Sequence, residues 1–133
     1  MAQHLALLSL LVRDYDEALA FYVGKLGFTL AEDSDLGGGK RWVVVSPGPG
    51  GSRFLLAQAS DDQQAALVGG QGGGRVWLFL HTDAFEADHA RMTAAGVRFL
   101  EEPRHEAYGS VAVFEDLYGN RFDLIGRREP ARS

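Results

Sequence analysis

The sequence contains no cysteine. Disulfide staples, thiolate nucleophiles and zinc–cysteine sites are therefore excluded together. The absence suits a reducing compartment, and the chain is read as a cytoplasmic protein. Positive charge is also scarce: 13 Lys and Arg stand against 18 Asp and Glu, for a net charge of −5. No cluster of Lys or Arg offers a face for phosphate backbones, so nucleic acid is not an expected partner. Long apolar runs are missing too. The run Leu5–Val12 has no basic residue before it and no small-residue cleavage site after it. It falls far short of the roughly 20 residues that cross a bilayer, so it reads as a buried strand and no membrane partner is expected.

What remains is an ordinary globular composition, 46% hydrophobic and 23% charged over 133 residues. That length suits one domain, residues 1–133, and buries roughly two-thirds of the unfolded surface without a staple.

The most informative feature is that the chain is written twice. In Leu8–Phe28 an apolar strand leads through Arg13-Asp14-Tyr15-Asp16-Glu17-Ala18 into a helical stretch ending at Gly27. In Trp77–Val97 an apolar strand leads through Thr82-Asp83-Ala84-Phe85-Glu86-Ala87 into a helical stretch ending at Gly96. Asp14 and Asp83 are each placed to cap a helix, with Glu17 and Glu86 three residues on completing a capping box. Gly27 and Gly96 stand where a left-handed stop is wanted.

Each half continues with β-rich segments. Gly37-Gly38-Gly39 turns the chain into a strand at Lys40–Ser46, and Pro47-Gly48-Pro49-Gly50-Gly51 turns it into another at Arg53–Gln58. Later, Val97–Leu100 leads through a charged loop to Ser110–Glu115, and Leu117-Tyr118-Gly119-Asn120 turns into a last strand at Arg121–Ile125. The fold class is α+β, with two βαβββ modules at about 5–58 and 75–126. A linker at about 59–74 contains a short helix, Asp61–Val68, and the Gly69–Gly74 stretch. Neither module closes its own sheet, so the two are expected to pair as curved mixed sheets around a cup-shaped cavity. A homodimer is expected to cover exposed edges. The glycine runs do not join a strand to a helix N-terminus, and they read as turns and linker rather than a phosphate cradle.

Three segments carry a family resemblance. Asp14-Tyr15-Asp16-Glu17-Ala18-Leu19-Ala20-Phe21-Tyr22 through Leu26-Gly27-Phe28 looks like the first helix of the vicinal oxygen chelate superfamily, the glyoxalase, bleomycin-resistance and extradiol-dioxygenase fold. Ala94-Ala95-Gly96-Val97 resembles the end of its second helix. Glu115-Asp116-Leu117-Tyr118-Gly119-Asn120-Arg121-Phe122-Asp123-Leu124 is similar to its most distinctive signature, a Gly-Asn turn leading into a last strand with an acidic residue. The resemblance runs from about Leu5 to Ile125. It implies the fold more firmly than an activity, because this fold hosts lyases, dioxygenases, isomerases, thiol transferases and antibiotic-binding proteins.

Enzymes of the family hold a divalent metal through the first and last strands of each half, and the metal acts as a Lewis acid on vicinal oxygens. The resemblance places those positions at Leu7, Leu55, Trp77 (or Val76 by the register of the repeat) and Asp123. One carboxylate in four does not hold a catalytic metal, so neither metal nor cofactor is expected. A relocated site of His81, Asp123 and His105, or one using His4, matches no defensible spacing.

Other residues carry two readings each. Trp42, Trp77 and Phe79 are either core or an aromatic wall that stacks a flat ligand, and alternation puts Trp77, Phe79 and His81 on one strand face. His81 is either a strand-end residue or a general base. His89, among Asp88 and Arg91 on the second helix, reads as solvent-facing. In the loop Glu101–Gly109, Arg104, His105 and Tyr108 offer polar contacts to a ligand. Asp123 on an apolar strand calls for a partner, an Arg or a backbone amide, unless it serves as acid, base or ligand anchor.

The expected function is metal-independent binding of a drug-like or aromatic small molecule, with Leu7, Trp42, Leu55, Trp77, Phe79, His81, His105, Tyr108 and Asp123 as candidate ligand-binding residues. The acidic balance would suit a cationic guest. The rival is an enzyme, either with relocated metal ligands or using Asp123 with His81 or Tyr108 for proton transfer.

Overall fold

Asp14 begins the first helix as a side-chain cap. Its backbone is extended and its carboxylate accepts from the Glu17 N–H at 2.8 Å, so an orphan amide of the first turn is satisfied. Gly27 and Gly96 reverse the chain after their helices at φ 83° and 90°. A Cβ in that left-handed region costs roughly 1–2 kcal/mol, which is why both stops are glycine. These local signals frame the two halves of a computed structural model that describes residues 1–127.

The chain divides into two units, Met1–Gln71 and the chain from Gly72 onward. The first contains β1 (Leu7–Val12), α1 (Tyr15–Tyr22), β2 (Thr29–Gly37), β3 (Lys40–Ser46), β4 (Arg53–Gln58) and α2 (Asp62–Leu67). Its four-stranded sheet runs β1-β4-β3-β2, with β1 parallel to β4 and the other pairs antiparallel. The second contains β5 (Val76–Thr82), α3 (Phe85–Ala94), β6 (Arg98–Phe99), β7 (Arg104–Glu106), β8 (Gly109–Glu115) and β9 (Arg121–Arg127). Its five-stranded sheet runs β5-β9-β8-β6 with β7 also on β8, and β5 is parallel to β9. The wiring of the first unit is thus repeated in the second. The repeat has one variation: β6 and β7 take the place of the continuous β2, and both pair with β8 on either side of Glu101–Pro103. The segment read as a charged loop therefore carries a short strand, because β8 offers a free edge opposite Arg104–Glu106.

Alternation along the strands decides the core. In the first unit Leu10, Val12, Val43, Val45, Phe54 and Leu56 are buried, together with Ala18, Phe21, Tyr22, Leu26 and Phe28. The rings of Tyr22, Phe28 and Phe54 meet at centroid distances of 5.7–6.0 Å. In the second unit Phe99, Phe114 and Phe122 form a row at 5.7 and 5.1 Å.

Two helix-level expectations are corrected here. Asp83 does not cap α3: the N-cap is Ala84, which makes no side-chain cap bond. Thr82 organises the entry instead, accepting from the Ala84 N–H at 2.9 Å and donating its hydroxyl to Asp88 at 2.5 Å. A hydroxyl both donates and accepts, so it can bind backbone and carboxylate together, as Asp83 could not. His89 is not solvent-facing either. Its ring lies 5.9 Å from Phe85 and 4.3 Å from Phe99, and its Nε2 is buried without a hydrogen-bond partner.

Candidate functional site

Each sheet has a face turned away from its core, and the sequence-derived candidates fall largely there. In the first unit β1 alternates: Leu8, Leu10 and Val12 turn inward, and Leu7, Ser9 and Leu11 turn to the open face. Register then aligns neighbours across the sheet. Leu7 lies opposite Arg53, Ser9 opposite Leu55, Leu55 opposite Val44, and Val44 opposite Glu32. Trp42, two residues before Val44, shares this face and is 37% exposed; Leu7 is 38% exposed. At the β1 end of the face a cleft of about 460 Å³ is lined by Leu7, Glu32, Trp42, Val44, Gly51 and Arg53, with His4 beside them. Leu7 and Trp42 thus come together, and Leu55 continues the same surface.

Glu32 and Arg53 were not singled out from sequence. Their residue types carry no motif, and only the register of β2 and β4 brings them to one cleft. Glu32 accepts a hydrogen bond from the Ser34 hydroxyl at 2.9 Å. Arg41 on β3 is, by contrast, engaged: it holds Asp33 through two bonds at 2.7 and 3.1 Å and Asp16 through one at 3.0 Å. Those carboxylates keep its guanidinium charged far beyond any working pH, and it in turn lowers Asp33.

In the second unit alternation puts Phe79, Asp123 and Val113 in one row of one sheet face, and His81, Ile125 and the buried Val111 in the next. Phe79 is 61% exposed, well beyond what a core ring shows. Asp123 is half-buried, and its Oδ1 is out of contact with solvent and without a hydrogen-bond partner. Burial pushes its carboxyl above the usual range; the charge of Arg104 opposes this and that of Glu101 adds to it. The Arg or backbone partner expected for a structural Asp123 is not bonded to Oδ1.

Trp77 departs from simple alternation. The pairing shifts between Val76 and Leu78, so a β-bulge falls at Trp77. Its ring stands edge-on to Phe122 at 6.2 Å, within reach of the aromatic row rather than placed by the pleat beside Phe79 and His81. His105 is held at the β7–β8 corner, with Nδ1 2.8 Å from the Ser110 hydroxyl. Tyr108 is 56% exposed in the turn that follows. Arg104 is taken up by Glu101 at 2.8 Å and Glu106 at 3.2 Å, which raises its affinity for its proton.

The family's metal does not fit these residues. Leu7 and Leu55 have no donor atom, the Trp77 indole donates only, and Asp123 alone could ligate. Among the described residues no three His, Asp or Glu side chains gather as a metal site, and His81, Asp123 and His105 do not form one.

Comparison with known proteins follows the same lines. An uncharacterized protein of Shewanella frigidimarina (strain NCIMB 400) is 52% identical over 127 residues, 94% of each chain. Among solved structures, UcmS2 superposes with a TM-score of 0.80 at 31% identity, covering 94% of this chain and 98% of that one. TnmS3, an antibiotic binding protein from Streptomyces sp. CB03234, superposes with a TM-score of 0.78 at 30% identity, covering 96% and 98%. The sequence pattern of the Glyoxalase/Bleomycin resistance protein/Dioxygenase superfamily matches residues 3–124, and the chain belongs to that superfamily.

Proposed function

We propose that the protein binds small, flat or apolar organic molecules without a metal, as the drug-sequestering members of its superfamily do. The observation that carries this reading is the chemistry of the four family ligand positions. Two are leucines with no donor atom, of which Leu7 is exposed, and one is a tryptophan in a bulge. In the first unit exposed Leu7 and Trp42 offer area and an aromatic face to a guest, and polar groups of the same cleft set its orientation; in the second unit Phe79 is exposed on its own sheet. Likeness to TnmS3, an antibiotic binding protein, supports the same class of ligand.

In this reading the chain acts as one domain, with modules at about 5–58 and 75–126, in the cytoplasm and as a homodimer. None of the described helices is long and apolar enough to cross a membrane.

The test is a thermal-shift screen of metal-free protein against a broad set of aromatic and drug-like compounds, with metal content measured by plasma mass spectrometry after exposure to nickel, zinc, manganese and iron(II). Saturable stabilisation by organic ligands with no retained metal is the expected result. Stoichiometric metal, or no ligand in the whole set, would abandon the proposal.

A second reading is favoured by one observation, the dry and unpartnered Oδ1 of Asp123 with its raised proton affinity. Such a carboxyl suits general acid–base work at a carbon acid or leaving group. Turnover that disappears in Asp123→Asn would support an enzyme; turnover that survives would sink it.

A further inference from the structure

Among the described residues Arg53 is a guanidinium at a ligand-sized cleft whose side chain makes no hydrogen bond or ion pair. We propose that the cleft between Leu7, Trp42 and Arg53 selects aromatic anions, planar rings bearing a carboxylate or phenolate, with Arg53 setting that specificity. The inference rests on the binding reading above and names its ligand class.

The geometry supplies both halves of such a ligand. Leu7 and Val44 give an apolar floor, and the exposed Trp42 ring gives a stacking wall at one side. Arg53 is the first residue of β4 and lies opposite Leu7, so its side chain stands on the open face at the rim. A guanidinium presents a rigid fork of donors that matches a carboxylate or phenolate oxygen and also stacks on rings. Glu32, the carboxylate of the cleft, keeps its charge but accepts from Ser34 at 2.9 Å, whereas among the described residues no side-chain partner holds the Arg53 fork. The net charge of −5 does not decide against an anion, because exposed charges beyond roughly 8–10 Å are screened at physiological salt while a contact pair is not.

One wall of the cleft is the turn at Gly50 and Gly51, which has no side chains. A Cβ at Gly51 would meet nothing within 4 Å, and its φ lies outside the left-handed region, so a larger residue is tolerated there and would narrow the opening. This provides a variant that tests the cleft without touching Arg53 or Trp42.

The experiment is isothermal titration of the full chain with three matched probes: 1-naphthoate, 1-naphthalenemethanol and 1-naphthylmethylammonium. Charge-assisted hydrogen bonding should favour the naphthoate over the alcohol by about tenfold or more. Arg53→Gln should erase that preference by weakening the naphthoate far more than the alcohol, Arg53→Lys should keep part of it, and Gly51→Phe should weaken all three probes. Equal binding of naphthoate and alcohol, tightest binding of the ammonium, or a preference that survives Arg53→Gln overturns the anion assignment and leaves the binding reading standing. Failure of every probe, together with an empty broad screen, overturns the binding reading itself.

Discussion

Asp116 and Asn120 close the turn between β8 and β9 on each other. Asp116 Oδ1 accepts from the backbone N–H groups of Tyr118 and Asn120, each at 2.9 Å, and Oδ2 accepts from the Asn120 side-chain amide at 2.9 Å. The Asp116 N–H donates back to the Asn120 carbonyl at 2.9 Å. Both side chains are buried, at 4% and 2% exposure, so this pair replaces water entirely. The acidic Gly-Asn signature of the sequence is therefore a turn closed by its own side chains, and it leads into β9, the strand of Asp123.

Breaking that turn should be costly. Asp116→Ala removes three hydrogen bonds, two of them buried, and we expect a loss of about 2–4 kcal/mol in chemical denaturation. A loss below that of ordinary surface substitutions would show that water replaces the carboxylate.

Asp123 should make stability depend on pH with a definite sign. Burial raises its folded-state pKa above the unfolded value. Its contribution to stability is therefore complete below the unfolded value, roughly pH 4, and is lost as pH rises through the folded value. Asp123→Asn should be more stable than wild type at neutral pH, and the advantage should fade on acidification. Thermal melts of the two proteins across that range provide the check; parallel curves would contradict the assignment.

Gly126 tolerates no side chain. A Cβ there would stand 2.5 Å from Cβ of Phe85, the first residue of α3. Gly126→Ala should cost about 1–3 kcal/mol by overpacking. Pairing it with Phe85→Gly, which removes that Cβ, should recover part of that loss beyond additivity in a double-mutant cycle.

His89 should be replaceable with profit to stability. Its Nε2 is buried with no partner between Phe85 and Phe99. His89→Phe keeps the ring stack and removes the unsatisfied nitrogen, so a gain of about 1 kcal/mol is expected. A lower melting temperature would show that the nitrogen has a partner in solution.

Much of this molecule was settled by short-range chemistry and could be read residue by residue. The Asp14 cap, the two glycine stops, the Gly37–Gly39 hairpin and the strands at Lys40–Ser46 and Arg53–Gln58 depend on a few adjacent residues, and the structure has each where it was expected. The doubling of the chain was legible for the same reason, since a repeated local pattern folds twice into the same βαβββ wiring. What the sequence left open depends on groups far apart in the chain or on ambiguous local competition. Thr82 displaced Asp83 because a hydroxyl could serve Ala84 and Asp88 together. A bulge removed Trp77 from the alternation, and the packing of Phe85 and Phe99 drew His89 out of water. The cleft of Leu7, Glu32, Trp42 and Arg53 exists only through strand register. Register is set by how two faces bury their apolar side chains, a decision made by the sheet as a whole and written in no single segment.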